Sequence, residues 1–275
     1  MLFARDKISG LRADIVAQIL TLSNVQYGSK CLVLDHNLGL ITSAVTSRIL
    51  PQGVCIQLLP DYEVLYTARK TMNMLNIREA EWPENVLSIT IRDLYKIFKG
   101  LDNFEHEDSI LQARADEQLS RLVKRFESLS PGTNDTTKRV KLDHADQDDQ
   151  ILKDIAKKDA NRINRHRERA LAAKHLKEHA LDALILVVHN DHPLPLLKLL
   201  LPFIAPSRQF VIYSEISAPL IECQQFLKAN SMAVSLQLSE SRLRKYQVLP
   251  DRTRPEMNTT GFGGFLLSGI KAFHG

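Results

Sequence analysis

Short apolar runs alternate with amphipathic segments along the first hundred residues of the chain. The runs at 31–35, 54–59 and 85–91 predict three strands, of which "VCIQLL" is typical. Apolar residues at helical spacing predict helices in "ISGLRADIVAQILTL", over 38–49 and in "YEVLYTARKTMNMLN". Strands that are apolar throughout and alternate with helices indicate a parallel sheet that is covered on both faces.

This alternation stops between about Lys99 and His179 and then resumes. Residues 130–150 are polar almost throughout, which predicts a disordered linker, whereas 151–180 predict one long helix with nine Lys and Arg against four Asp and Glu. Further strands are predicted at 181–191, 208–215, 231–238 and 263–269, with helices near 194–204 and over 218–229.

The complete pattern predicts an α/β fold with a seven-stranded, mostly parallel sheet and a long insertion after the third strand. We divide the chain into a first half of this domain (1–99), an inserted linker and basic helix (100–180) and a second half (181–275). Insertions of this length are usually functional or disordered.

The cysteines and the longest apolar runs exclude several classes of protein. Cys31, Cys55 and Cys223 have neither zinc-ligand nor redox spacing, so we expect buried, reduced thiols and no metal site. Reduced thiols are typical of the cytosol or the nucleus. No run approaches eighteen apolar residues, so we expect no membrane span.

The turn that follows the first strand, in "KCLVLDHNLGLITSAV" (30–45), is where a doubly wound protein would bind a nucleotide-type cofactor. Asn37 and Ile41 stand where small glycines are wanted, and the second strand leads into Leu59 and Pro60 rather than an acid. The turn therefore predicts no cofactor site. An active methyltransferase that uses Asp35 or Asp61 stays open as the alternative.

The net charge of the whole chain is +4, and positive charge is concentrated in two places. The loop 241–258 and the long helix carry Arg and Lys at a density that suits contacts with phosphate. The candidate RNA-binding residues are Arg242, Arg244, Lys245, Arg252, Arg254, Arg165, Arg167 and Arg169. For the helix, a solvated basic face is the competing interpretation.

A compact basic motif, "KRVKLD", lies inside the predicted linker. Its cations Lys138, Arg139 and Lys141 are of the nuclear-import type, and an unstructured segment would leave them accessible. We therefore expect a nuclear protein.

The stretch "SESRLRKYQVLPDRTRPEMNTTGFGGFLLSG" resembles the non-catalytic subunit of the eukaryotic tRNA (adenine-N1-)-methyltransferase. "DALILVVHNDHPLPLLKLLLPFIAPSRQFVIYSE" resembles the preceding strand, helix and strand of that family, and "GSKCLVLDHNLGLITSAVTSRI" resembles it more weakly. The resemblance covers nearly the whole chain except the linker.

The resemblance implies a Rossmann-like class I methyltransferase fold that has lost S-adenosylmethionine binding and is not itself an enzyme. Asn37 and Ile41 depart from the glycine-rich turn of the catalytic relatives, and Val187 takes the place of their strand-four aspartate. It also implies that the amino-terminal barrel domain of the family is absent from this chain.

The same resemblance implies the partners. A catalytic subunit would bind S-adenosylmethionine and methylate adenine 58 of the tRNA T-loop, in a heterotetramer with two copies of each subunit that binds tRNA. "TGFGGFLLSG" has two open interpretations: its glycines and Phe262, Phe265 and Leu266 either form a partner surface or complete the sheet and its core.

Overall fold

The computed structural model of the protein describes residues 11–60, 63–75, 85–101, 163–189, 191–257 and 261–273. The elements in chain order are α1 (Ala13–Leu22), β1 (Lys30–Asp35), α2 (Leu40–Ile49), β2 (Val54–Leu59), α3 (Glu63–Met74), β3 (Val86–Thr90), α4 (Ile91–Phe98), α5 (163–177), β4 (Leu181–Val187), α6 (Pro193–Leu200) with a 3₁₀ turn (Leu201–Phe203), β5 (Ile204–Ser214), α7 (Ser217–Ala229), β6 (Ala233–Arg242), β7 (Tyr246–Gln247), β8 (Arg254–Pro255) and β9 (Phe262–Lys271).

Seven of these strands form one sheet in the order β3-β2-β1-β4-β5-β9-β6. The neighbouring strands from β3 to β5 pair in parallel, whereas β9 runs antiparallel to both β5 and β6. The prediction of a seven-stranded, mostly parallel sheet is therefore confirmed. Because β6 runs parallel to β5, its last residue lies at the same edge of the sheet as the carboxyl ends of β1 and β4.

Helices cover both faces of this sheet, as the apolar strands predicted. One core contains Ile15 and Ile19 of α1 together with Ile41, Val45 and Ile49 of α2. The core on the other face is built by α4, α5, α6 and α7, and its members include Leu94, Ile97, Leu176, Leu197 and Leu220. All three cysteines are free and buried, which confirms the interpretation of their spacing.

Helix α5 is the described part of the long basic helix predicted over 151–180. It is amphipathic, since Ala172, Ala173 and Leu176 are buried in the core while Arg167, Lys174 and Lys177 are exposed. The buried face attaches α5 to the sheet. The predicted linker 130–150 and the import motif Lys138, Arg139 and Lys141 lie outside the described residues. Within the described ranges no helix is both long and apolar enough to span a membrane.

Several predicted boundaries were wrong, and for two of them the local structure shows the reason. Helix α2 begins at Leu40 rather than 38, because Leu38 and Gly39 both have positive φ angles. Strand β3 ends at Thr90, whose side chain accepts a hydrogen bond from the backbone N–H of Asp93 and caps the unpredicted helix α4. Strand β4 ends at Val187 rather than 191, and β5 begins at Ile204 rather than 208.

Candidate functional site

The turn between β1 and α2 is held together by the carboxylate of Asp35. This side chain is fully buried and accepts hydrogen bonds from the backbone N–H groups of Asn37 (2.7 Å), Ile41 (2.8 Å) and Thr42 (3.0 Å). Burial raises the pKa of Asp35, and these hydrogen bonds oppose that rise. Three N–H groups of the turn are therefore already satisfied within the chain rather than left for a ligand.

Both the backbone conformation at position 39 and the close packing around it require glycine there. The φ of Gly39 is +85°, and a Cβ there would lie 2.9 Å from the Cα of Ala68 and 3.0 Å from its Cβ. Helix α3 thus packs directly on the turn. Ile41, which the sequence placed beside a cofactor, is fully buried in the core instead.

The side chain of Asn37 is buried in the same turn without a hydrogen-bond partner among the described residues. It is fully buried, and among the described residues neither its amide nitrogen nor its amide oxygen has a hydrogen bond. An unsatisfied buried amide costs about 1–3 kcal/mol. The backbone of Asn37, by contrast, has a partner at each end: its N–H donates to Asp35, and its carbonyl accepts from the N–H of Leu40.

Strand β4 itself ends without an acid, and the acid that follows it, Asp191, has its Oδ2 3.6 Å from Nε2 of His36 in the turn. Val187, its last residue, pairs with Asp35 in the parallel register and is fully buried in the core. The polar side chains come only after the strand: His189 lies 3.5 Å from Glu215, and His192 lies 3.2 Å from Glu222. Asp61, the other acid of the alternative interpretation, lies outside the described residues.

Two pockets of the described structure lie away from this turn. A polar cavity of about 150 Å³ lies at the opposite edge of the sheet, where Tyr27, Asp182 and Arg208 line it. An apolar groove of about 370 Å³ lies between Leu22 of α1 and Gln237 of β6. Neither pocket contains a residue of the turn.

The glycines of "TGFGGFLLSG" pack against residues of this chain. A Cβ on Gly263 would lie 2.7 Å from atoms of Arg12 and Ile15, and one on Gly264 would lie 2.6 Å from the ring of Tyr213. Leu266 is buried in the core. For Gly263, Gly264 and Leu266 the structure therefore supports the core interpretation.

The candidate RNA-binding residues fall into two separate groups. Arg242 ends β6, and the other four cations of the loop lie between residues 243 and 257, which project as a two-stranded ribbon of β7 and β8 (the 243–257 ribbon). All five are exposed: Arg242, Arg244, Lys245, Arg252 and Arg254. This arrangement leaves their charges available to a phosphate backbone.

The second group, Arg165, Arg167 and Arg169, lies on α5 at the other side of the sheet. Arg169 is partly buried and pairs with Asp93 at 3.7 Å, so part of its charge is used inside the protein. The neighbouring Glu168 pairs with Arg69 of α3 across the edge strand β3. Because β3 and β6 are opposite edges of a seven-stranded sheet, roughly 25–30 Å separate the two groups.

Comparisons with known proteins agree with the fold and with the resemblance. The model of the Gcd10p family matches residues 2–124. The chain is 33% identical over 297 residues to the tRNA (adenine(58)-N(1))-methyltransferase non-catalytic subunit TRM6 of Mus musculus, covering 98% of this chain and 58% of that protein. This chain is similar to the Gcd10p family over residues 2–124 and to the mouse subunit over nearly its whole length.

A second curated relative gives a similar result. The non-catalytic subunit trm6 of Dictyostelium discoideum is 31% identical over 273 residues, covering 96% of this chain and 47% of that protein. The chain thus spans about half the length of the curated relatives it matches.

The solved structures show the fold alone. The chain superposes on TrmI of Aquifex aeolicus, a tRNA (m1A58) methyltransferase, with a TM-score of 0.52 at 11% identity. The superposition covers 100% of this chain and 71% of that protein. An S-adenosylmethionine-dependent O-methyltransferase of Thermotoga maritima gives a TM-score of 0.57 at 11% identity, covering 96% and 67%. The methyltransferase-like fold expected from the sequence is confirmed.

Proposed function

We propose that this chain is part of a non-catalytic, tRNA-binding and scaffolding subunit of a tRNA (adenine(58)-N1)-methyltransferase, in which a catalytic partner binds S-adenosylmethionine and methylates the T-loop. The observation that carries the proposal is the turn after β1. Its N–H groups bind Asp35 rather than a ligand, and Val187 is buried where catalytic relatives would have an acid. The mouse and Dictyostelium relatives are non-catalytic subunits of tRNA (adenine(58)-N(1))-methyltransferase, which agrees with this function.

Calorimetry with S-adenosylmethionine tests this proposal most directly. The chain alone should show no heat of binding, and its complex with the catalytic subunit should bind one S-adenosylmethionine for each pair of subunits. Binding by the chain alone would support the alternative, an active methyltransferase with a divergent turn.

The cations around the 243–257 ribbon are our proposed tRNA contacts, because all of them are exposed and close together in the chain. Reversing the charge of Arg242, Arg244, Arg252 and Arg254 should weaken tRNA binding by the complex. If each contacts one phosphate, the slope of log K against log salt should fall by about 3 to 4.

A matched control uses exposed cations from other parts of the described chain. The same number of charges is reversed at Arg48, Lys70, Lys99 and Lys228. If this control weakens tRNA binding as much as the ribbon variant does, net charge rather than the ribbon carries the affinity. Arg165, Arg167 and Arg169 form a second proposed contact, to be reversed separately because Arg169 also pairs with Asp93.

Assembly and localisation complete the proposal. We expect the whole protein to form a heterotetramer with two copies of each subunit, which sedimentation equilibrium of the purified complex would measure. We expect it to be nuclear through Lys138, Arg139 and Lys141. Deleting residues 131–149 should reduce nuclear accumulation without changing thermal stability, and unchanged accumulation would show that the motif is not used.

A further inference from the structure

The 243–257 ribbon has a register that separates its side chains into two faces. Tyr246 pairs with Pro255 and Gln247 with Arg254, and the N–H of Glu256 donates to the carbonyl of Lys245. Residues directly opposite each other in an antiparallel pair share a face, and successive residues alternate between faces. The same register therefore places Arg244 opposite Met257.

One face of the ribbon is polar and the other is mostly apolar. Lys245, Gln247 and Arg254 share the polar face with Glu256, which lies opposite Lys245. On this face the guanidinium of Arg254 approaches the side-chain oxygen of Gln247 at 3.4 Å. The opposite face is formed by Tyr246 and Pro255. Val248 and Met257 lie two residues further along each segment and therefore fall on the same face. Its one cation, Arg244, lies over the ring of Tyr246 at 5.9 Å.

The apolar face is exposed to an unusual degree. The exposed fraction is 89% for Met257, 76% for Val248 and 54% for Tyr246. Contiguous exposed apolar surface of this kind marks a site of interaction with another molecule.

The chemistry of these side chains favours a protein over RNA. A phosphate backbone offers no apolar surface, and RNA bases are bound by stacking on aromatic rings or on guanidinium planes. Val248 and Met257, the two most exposed side chains of this face, have no ring with which to stack. Met, Tyr and Arg are instead enriched in protein interfaces.

We propose that the 243–257 ribbon uses its apolar face, Tyr246, Val248 and Met257, to dock into an apolar groove of the catalytic methyltransferase subunit. This inference rests on the proposed function, since it takes its partner from there. The charge of Arg244, with no acid beside it on this face, calls for a carboxylate at the rim of that groove. The ribbon then joins subunit docking on one face to phosphate contacts of Lys245 and Arg254 on the other.

Two double variants of the whole protein, each co-expressed with the catalytic subunit, test the two faces separately. Val248→Ser with Met257→Ser changes the apolar face, and Lys245→Ser with Arg254→Ser changes the polar face of the same ribbon. Analytical ultracentrifugation measures subunit affinity, and filter binding measures the tRNA affinity of the assembled complex. All four residues are exposed, and thermal unfolding checks that each variant is folded.

The apolar-face variant should weaken subunit affinity at least tenfold and leave the tRNA affinity of the assembled complex unchanged. The polar-face variant should do the reverse. Normal assembly of the apolar-face variant would overturn the inference, and a tenfold loss of tRNA affinity in that variant would show that this face contacts RNA instead. If the unaltered protein did not bind the catalytic subunit at all, the proposed function would be wrong together with the inference.

Discussion

Replacing Gly264 with alanine tests how the start of β9 packs against β5. Gly264 has a φ of +83°, and a Cβ there would lie 2.6 Å from the Cε2 and Oη atoms of Tyr213. A residue with a Cβ pays roughly 1–2 kcal/mol in this left-handed conformation. Tyr213 is almost completely buried and cannot move aside, so overpacking adds about 1–3 kcal/mol. We therefore expect a loss of about 2–5 kcal/mol in the free energy of unfolding.

Gly28→Ala is the matched control for the backbone contribution. Gly28 has a φ of +77°, but no atom lies within 4 Å of the position that its Cβ would take. This variant should lose only about 1–2 kcal/mol. Urea unfolding followed by far-UV circular dichroism measures both variants, and the expected difference between them of about 1–3 kcal/mol corresponds to a midpoint difference of up to about 1 M.

A second variant of Tyr213 isolates the steric clash. In a Tyr213→Leu background the ring atoms that a Cβ would meet are gone, so Gly264→Ala should cost no more than Gly28→Ala does. The reasoning is refuted if Gly264→Ala and Gly28→Ala differ by less than about 0.5 kcal/mol. It is also refuted if the cost of Gly264→Ala is the same with and without the tyrosine ring.

Three further changes test individual contacts. Asp35→Ala leaves three buried N–H groups without an acceptor and should lower stability by about 3 kcal/mol or more in thermal unfolding; an unchanged Tm would contradict this. The hydrogen bond from Arg12 holds the pKa of Asp14 below its ordinary 3.8, so its stabilisation is complete above pH 3.8 and is lost as the pH falls through the folded-state pKa. Between about pH 5 and pH 3 the wild type should lose more stability than Asp14→Asn, and equal losses would show that the pair is not coupled to folding. Glu168→Gln removes the charge that pairs with Arg69 and should cost about 1–3 kcal/mol in urea, more than Glu178→Gln at the exposed pair with Lys30; equal effects would contradict the burial argument.

The alternation of apolar strands and amphipathic helices was enough to predict the sheet. Strand β2 was predicted with the bounds that the structure has, and β1 to within one residue. Strands that are buried on both faces need consecutive apolar side chains, and this requirement is visible in a single sequence. The methyltransferase-like fold was implied by the family resemblance, and the number and order of these elements agree with it.

Helix α4 was missed although the chain carried a signal for it. Thr90 and Asp93 form a capping pair, and Leu94 and Ile97 follow at helical spacing. The signal lay at the end of an apolar strand, so the strand pattern extended over it. Asp35 was noticed only as a possible ligand for a cofactor, because its three hydrogen bonds go to backbone atoms and leave no pattern in the side chains.

The order of residues along the chain was enough to predict the buried strands and helices and the places where cations are concentrated. It also showed that Asn37 and Ile41 depart from a glycine-rich turn. Only the tertiary structure decided which groups meet. In the folded chain Gly264 packs against Tyr213, Arg169 pairs with Asp93, and the 243–257 ribbon has an apolar and a polar face. The physical reason is that burial and periodicity are local properties of the chain, whereas contacts and register depend on residues far apart in it.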